Sequence, residues 1–260
     1  MTWPQNDFLH SALCIWIFVT CLWVVSVLKK NASIIDPFWS ITITLGGVAA
    51  LFRHSLTPAK MLFLALLFLW AIRLWGYLFR RGWGEEEDPR YQAFRKNYGA
   101  ERYWWFSYFQ VFLLQGTLAF IVSLPIQSVV QNSSSTNPSL IDYLGAAIFF
   151  VGFIWEVVGD HQLEAFKKNP DNRGKLLDTG LWALSRHPNY FGEALLWWGL
   201  WISVIDEPWG LYTVVSPILI NFLLVKVSGV SMLEARLIET KPGFKEYMQR
   251  TPAFIPKLRR

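Results

Sequence analysis

The stretch Asp178–Glu193 reads Asp-Thr-Gly-Leu-Trp-Ala-Leu-Ser-Arg-His-Pro-Asn-Tyr-Phe-Gly-Glu. It follows the polar segment Lys167–Asp178 and runs into an apolar helix candidate, Ala194–Ile205. Pro188 has no amide donor and suits the first turn of a helix, so the spacing predicts a helix that begins near Asn189. On it Asn189 and Glu193, four apart, share one face. Arg186, His187, Asn189, Tyr190 and Glu193 therefore gather a cation, an imidazole, an amide, a phenol and a carboxylate where lipid should begin. Polar groups at that depth are costly and are usually retained for a site. The plainer alternative is an interfacial anchor, with Arg186 and His187 at headgroups and Tyr190 in an aromatic belt.

Composition agrees with a membrane setting. The 260 residues are 53% hydrophobic, with 15 Trp and 20 Phe, and 17% charged; a soluble domain carries roughly 25% charge. The expectation is an all-α polytopic membrane protein in one domain covering residues 1–260. The net charge of +5 does not call for nucleic acid, because the basic residues sit in loops beside apolar spans, where they set orientation. Cys14 and Cys21 would stand roughly 10 Å apart along a helix, too far for a disulfide. The N-terminus has the acid Asp7 and no basic leader, so no cleaved signal peptide is expected.

Seven spans can be drawn: Phe8–Leu28, Ile34–Phe52, Met61–Phe79, Phe106–Gln127, Leu140–Gly159, Phe191–Ile205 and Leu211–Gly229. Twenty of the 24 basic residues fall on one side, in the loops after spans one, three and five and in the tail. Arg53 and Lys60 fall on the other side, and Arg73 and Lys226 lie within spans. The asymmetry puts the N-terminus outside and the C-terminus in the cytoplasm. Asn132-Ser133-Ser134 is formally a glycosylation sequon in an uncharged external loop. No internal repeat of the kind that builds transporters from duplicated halves is visible.

Several polar groups sit too deep to be incidental. Asp36, before Pro37, reads either as a helix cap or as a carboxyl facing an internal cavity. Arg73 lies mid-span with Tyr77 one turn on, and an Arg there needs an anion or a water-filled cleft. Glu156 and Asp160 share a face at the end of span five, where acids oppose the helix dipole. Lys226 interrupts span seven, and Glu234 follows it. Lys241-Pro242-Gly243-Phe244 is a helix stop and turn. The aromatic tail Tyr247–Pro256 is too compact to be disordered. No cluster has metal-ligand spacing, so no metal is expected; no nucleophile elbow or Gly-rich phosphate loop is present.

Arg73, Arg80, Arg81, Arg90, Lys167, Arg186 and Lys226, interleaved with Glu156, Asp160, Glu193 and Glu234, suit a large anionic ligand bearing hydroxyl and amide donors. A phosphorylated dinucleotide fits: guanidinium groups clamp phosphates, and carboxylates accept from ribose. A lipid substrate would enter between helices, with the protein positioning the cofactor and excluding water.

From Leu140 to the C-terminus, and most specifically at Ser185–Glu193, the chain resembles the steroid 5α-reductase superfamily. Arg80-Arg81-Gly82-Trp83-Gly84 and Glu87-Asp88-Pro89-Arg90-Tyr91 resemble a bacterial-type branch of it. The resemblance implies seven transmembrane helices with NADPH bound in the cytoplasmic half. It implies that Asn189 and Glu193 hold the nicotinamide end, with Arg186, His187, Tyr190 and Glu234 around it. Glu156 and Asp160 match a polar pair on the preceding helix, and Lys167 matches a residue at the cofactor phosphates. Arg73 and Tyr77 match an Arg and a Tyr lining the pocket, and Lys226 matches an Arg of the seventh helix. Steroid 5α-reductases polarise the substrate ketone with a Tyr and a Gln-Glu pair. Here Trp70 stands at the Tyr position and Asp36 near the Glu, making these the catalytic candidates; a protonated Asp36 would be the donor.

The reading is an NADPH-dependent reductase of a conjugated carbon–carbon double bond in a lipid or steroid-like substrate. It would be integral to a bacterial inner membrane or the endoplasmic reticulum, with its site towards the cytoplasm. The alternative is an S-adenosylmethionine-dependent membrane methyltransferase of the isoprenylcysteine carboxyl type, which shares an Arg-His-Pro-x-Tyr-x-Gly block. A non-enzymatic lipid-binding or scaffold protein is a third reading. The oligomeric state is left open.

Overall fold

The computed structural model describes residues 5–82, 84–131, 137–227 and 230–257, so the Asn132 sequon and the end of the seventh drawn span lie outside the described residues. The described residues are helical and contain no strand. Six stretches are long and apolar enough to cross a membrane: Asn6–Lys29, Ala32–Arg53, Pro58–Gly82, Ala100–Val122, Leu140–Lys168 and Gly210–Val227. The remaining drawn span is a helix too, Pro188–Ile202, but its 15 residues fall short of that length. At 1.5 Å per residue it reaches about 22 Å, against roughly 30 Å of hydrocarbon. Its start at Pro188 agrees with the sequence reading.

The chain divides into two compact units, Met1–Ser139 with Val204–Thr213, and Leu140–Ser203 with Val214–Arg260. The first holds α1 (Gln5–Lys29), α2 (Trp39–Val48), α3 (Pro58–Gly82), α4 (Pro89–Tyr98), α5 (Ala100–Ser107), α6 (Leu114–Val122) and α7 (Leu124–Gln131). A π-helical stretch, Tyr108–Leu113, joins α5 to α6. Gly46 and Gly47 let α2 approach its neighbours: a Cβ there would lie 2.5 Å from Ile15 and 2.3 Å from Ile126. At one end Asp7 takes Arg53 at 2.9 Å and His54 at 3.0 Å. At the same end the buried Lys60 ammonium donates to Ser55 O (3.1 Å) and Val130 O (2.9 Å). Val130 O belongs to the last turn of α7, so Lys60 caps one carbonyl that the helix leaves open.

Asp36 does not cap a helix. It lies inside the tight turn Ala32–Phe38, which Asn31 caps by accepting from Ser33 N at 2.9 Å, and α2 begins only at Trp39. The cap in this region is Asp88 before Pro89, whose carboxylate accepts from Arg90 N and starts α4.

The second unit holds α8 (Leu140–Lys168), α9 (Pro188–Ile202), α10 (Val215–Phe222), α11 (Val230–Thr240) and α12 (Phe244–Arg250). A π-helical stretch, Leu223–Val227, follows α10. The α8–α9 pairing dominates the unit. It is built on glycines seven apart: 145, 152 and 159 on α8, and 192 and 199 on α9. A Cβ at Gly192 would sit 2.4 Å from Glu156 N, and one at Gly152 2.5 Å from Leu196 N. Backbone thus meets backbone, as small residues permit in membrane helix pairs. The seven-residue period keeps the seam facing its partner. α11 ends at Thr240 and α12 starts at Phe244 after Gly243 (φ 78°), the expected stop and turn.

Candidate functional site

In the second unit the glycine seam fixes the distance between the start of α9 and the acids of α8, which lie inside that helix and not at its end, since α8 runs on to Lys168. Glu156 and Asp160 on α8 are 3% and 4% exposed, and Glu193 on α9 is 7% exposed. Gly159 has no side chain to hold α9 away, since a Cβ there would stand 3.0 Å from Asn189 N. Asn189 Nδ2 consequently donates to Asp160 Oδ1 at 2.9 Å. Trp197 Nε1 donates to Glu193 Oε1 at 3.1 Å. The Asn189 Oδ1 atom is buried and has no hydrogen-bond partner among the described residues. His187 stacks on Tyr190, with ring centroids 5.5 Å apart and planes 10° apart.

A second layer holds this mouth from behind. Arg186 donates through Nε and Nη2 to both oxygens of Glu234, at 2.7 and 2.9 Å, and His187 Nε2 lies 3.0 Å from Glu234 Oε1. Arg186 Nη1 donates to the carbonyls of Met248 and Thr251. Four of the five guanidinium hydrogens are thereby spent on the protein. The tail is laced to the same loop: Arg186 N donates to Pro252 O (2.9 Å), Ser185 Oγ to Phe254 O (2.8 Å), and Lys257 N to Leu184 O (3.0 Å). The Tyr247 hydroxyl reaches Trp182 O. Burial by itself would raise the Glu234 carboxyl. The hydrogen bonds from His187 and Arg186, with the charge of Arg186, outweigh it and hold the group down to about 2.

In the first unit the residues around Asp36 form their own network. Arg90 Nη2 donates to Asp36 Oδ2 at 2.7 Å, and Tyr91 OH donates to Asp36 Oδ1 at 2.6 Å. Gln115 Nε2 donates to Tyr91 OH at 3.2 Å. Arg90 Nε also donates to Asp88 Oδ1 at 2.9 Å. Asp36 thus accepts from Arg90 and Tyr91, with Gln115 Nε2 3.5 Å from its Oδ1. Burial, followed by the charge of Asp36, pushes the Tyr91 phenol well above its ordinary range. Trp70 is fully buried in α3. Arg73 Cζ lies 5.3 Å from the centroid of the Tyr77 ring and Arg81 Cζ 5.8 Å from it. Arg80 Nε donates to Gly76 O at 3.2 Å.

The expected site residues thus fall into two sets. Asp36, Trp70, Arg73, Tyr77, Arg80, Arg81 and Arg90 belong to the first unit. Glu156, Asp160, Lys167, Arg186, His187, Asn189, Tyr190, Glu193, Lys226 and Glu234 belong to the second. Lys167 and Lys226 are exposed, whereas Arg90 and Arg186 hold protein carboxylates. Those carboxylates narrow the phosphate-clamping role expected of the two arginines. Tyr91, Gln115 and Asn221 carried no role in the sequence reading. Gln115 and Asn221 each interrupt an apolar span, and that interruption was the available signal. Among the described residues no group of three His, Cys, Asp or Glu is placed to hold a metal.

A profile of a family described as proteins of unknown function (DUF1295) matches residues 22–251. An uncharacterized protein of Schizosaccharomyces pombe is 25% identical over 279 residues, spanning 97% of this chain and 80% of its own. A probable O-methyltransferase of Ustilaginoidea virens is 50% identical over 54 residues, which are 21% of this chain and 18% of that protein. No solved structure matches the chain.

Proposed function

The chain belongs to the DUF1295 family, and from that premise we propose an NADPH-dependent membrane reductase of a conjugated carbon–carbon double bond in a lipid. The observation that carries the proposal is the Asn189–Asp160 pair. An amide and a carboxyl are held together at a membrane mouth, and the amide oxygen is left buried without a partner among the described residues. A buried acceptor of this kind is costly unless a ligand or water satisfies it. A carboxamide N–H suits Asn189 Oδ1, and the neighbouring carboxyls of Glu156 and Glu193 suit further N–H and O–H donors. NADPH, when bound, supplies the hydride. Lys167 and Lys226 would meet its phosphates from the exposed side. Arg186 and Glu234 would position the loop that bears Asn189. Within the first unit Tyr91 stands beside Asp36 as a candidate proton donor.

The same proposal takes α9 as a short seventh crossing and puts the N-terminus outside, following the basic residues. The steroid-like resemblance of residues 140–260 supports the lipid enone as substrate. A methyltransferase is the second reading, favoured by the short match to the Ustilaginoidea protein. Binding decides between them. Detergent-solubilised protein should bind NADPH saturably and S-adenosylmethionine not at all, and Asp160→Asn and Asn189→Leu should each weaken NADPH at least about tenfold, one lost polar contact in a desolvated site. Binding of S-adenosylmethionine with none of NADPH rejects the reductase.

A further inference from the structure

One polar side chain of the second unit takes no part in the arrangement above. Asn221 lies on α10, which packs against α9. Its Oδ1 atom is buried and has no hydrogen-bond partner among the described residues. It is the twelfth residue of the 18-residue apolar stretch Gly210–Val227. At 1.5 Å per residue that is about 16 Å from one end and about 9 Å from the other, inside the hydrocarbon thickness. Hydrocarbon offers no donor, so an amide oxygen left there is retained against its cost. Immediately after it the helix widens into the π-helical stretch Leu223–Val227, a distortion that recurs at functional sites.

Depth separates Asn221 from the cofactor end. Lys226, exposed and five residues on, stands about 7 Å nearer the end of the span. A polyanionic cofactor belongs at Lys226, where water reaches. On the same helix Ile218 and Phe222, 52% and 54% exposed, flank Asn221 with an apolar surface that lipid can reach. The lipid-accessible surface of α10 thus lies beside Asn221.

We propose that Asn221 recognises a hydroxyl of the lipid substrate, so that the substrate carries a free O–H in addition to the reducible double bond. This rests on the reductase reading for what is reduced, but not for what is bound. The Oδ1 accepts the substrate O–H, replacing the hydrogen bond that the hydroxyl would otherwise make to water. A lipid of the same skeleton without the hydroxyl leaves the acceptor empty and is discriminated against. Sites built around such a bond reject the analogue lacking it far more strongly than apolar pockets reject a missing methylene.

The test uses the full chain in detergent and two matched pairs of probes: androst-4-en-3-one with its 17-hydroxy counterpart, and 2-hexadecenal with its 16-hydroxy counterpart. Bound lipid is measured by native mass spectrometry in competition, for wild type, Asn221→Leu and Asn221→Ala, with thermal melts alongside. The expected result is a preference of tenfold or more for the hydroxylated member of at least one pair in wild type. In both variants that preference should collapse towards unity at unchanged melting temperature. No such preference in either pair, or one that survives both substitutions, overturns the proposal. So does loss of melting temperature without change in preference, which would mean that Asn221 bonds a structural water or its own chain. Failure of the reductase reading shows separately, as absence of NADPH binding while the lipid preference is still measured.

Discussion

Arg186 and Glu234 act on each other in the structure. Both are buried, and their two-pronged pair is completed by His187. Removing one partner of such a pair leaves an uncompensated buried charge, at about 3–5 kcal/mol. Glu234→Gln should accordingly lower stability by that amount, measured by denaturant or thermal unfolding in detergent. The acid limb carries a second signature. The folded carboxyl is held at about 2 against 4.5 when free, so its contribution is complete above 4.5 and is lost as pH falls towards 2. The loss amounts to ~3 kcal/mol by linkage, and the Gln variant should lack that part of the pH dependence. A matching result is expected at Tyr91. If its phenol supplies the proton, Tyr91→Phe should lower kcat by about 10²-fold or more, with a smaller effect on substrate binding. Equal kcat in the variant would remove Tyr91 from the chemistry.

At the level of elements, the glycine seam between α8 and α9 makes the sharpest forecast. The atoms that a Cβ at Gly192 would strike are backbone atoms of α8, which cannot rotate aside. Gly192→Ala should part the helices and cost about 2 kcal/mol or more, at the upper side of overpacking penalties. Gly76 in α3 is the control, because a Cβ there meets nothing within 4 Å. Gly76→Ala should stabilise by about 0.5–1 kcal/mol through helix propensity. Thermal melts of the two variants should move in opposite directions. The sequence already announced the α9 start, through Pro188, and the turn at Gly243, because both depend on local backbone chemistry. It did not announce the seam. The 145–152–159 spacing is plain once its partner is known, but each glycine alone reads as a helix weakener. The place of Asp36 inside Ala32–Phe38, and not at a helix cap, was hidden for a related reason. Its partners Arg90, Tyr91 and Gln115 lie 54 to 79 residues away, beyond any local rule.

For the molecule as a membrane protein, the six long apolar helices were readable from composition and run length, since those are sums over many residues. The boundaries were less so. The fourth long apolar stretch starts at Ala100, six residues before the drawn span, because the aromatic run 103–106 packs and stacks within the helix. In the second unit the grouping of Asn189 with Asp160 was legible, and the two do meet. Arg186 and Glu234 were legible as important, though not as partners of each other. Topology can be measured directly. Single cysteines at positions 56 and 175, in a background lacking Cys14 and Cys21, should be modified by an impermeant thiol reagent from opposite sides of the membrane. Labelling of both from the same side would refute the orientation drawn from the basic residues.

The lacing of residues 252–257 onto residues 184–186 has a consequence for biogenesis. Arg186 is translated some sixty residues before the carbonyls that receive it. The nascent chain must therefore carry an unsheltered guanidinium through insertion, and the mouth around Asn189 takes its final form only after residues 248–257 have emerged. Chains stalled or cut between the last apolar helix and residue 252 should reach the bilayer yet be cleared by quality-control proteases.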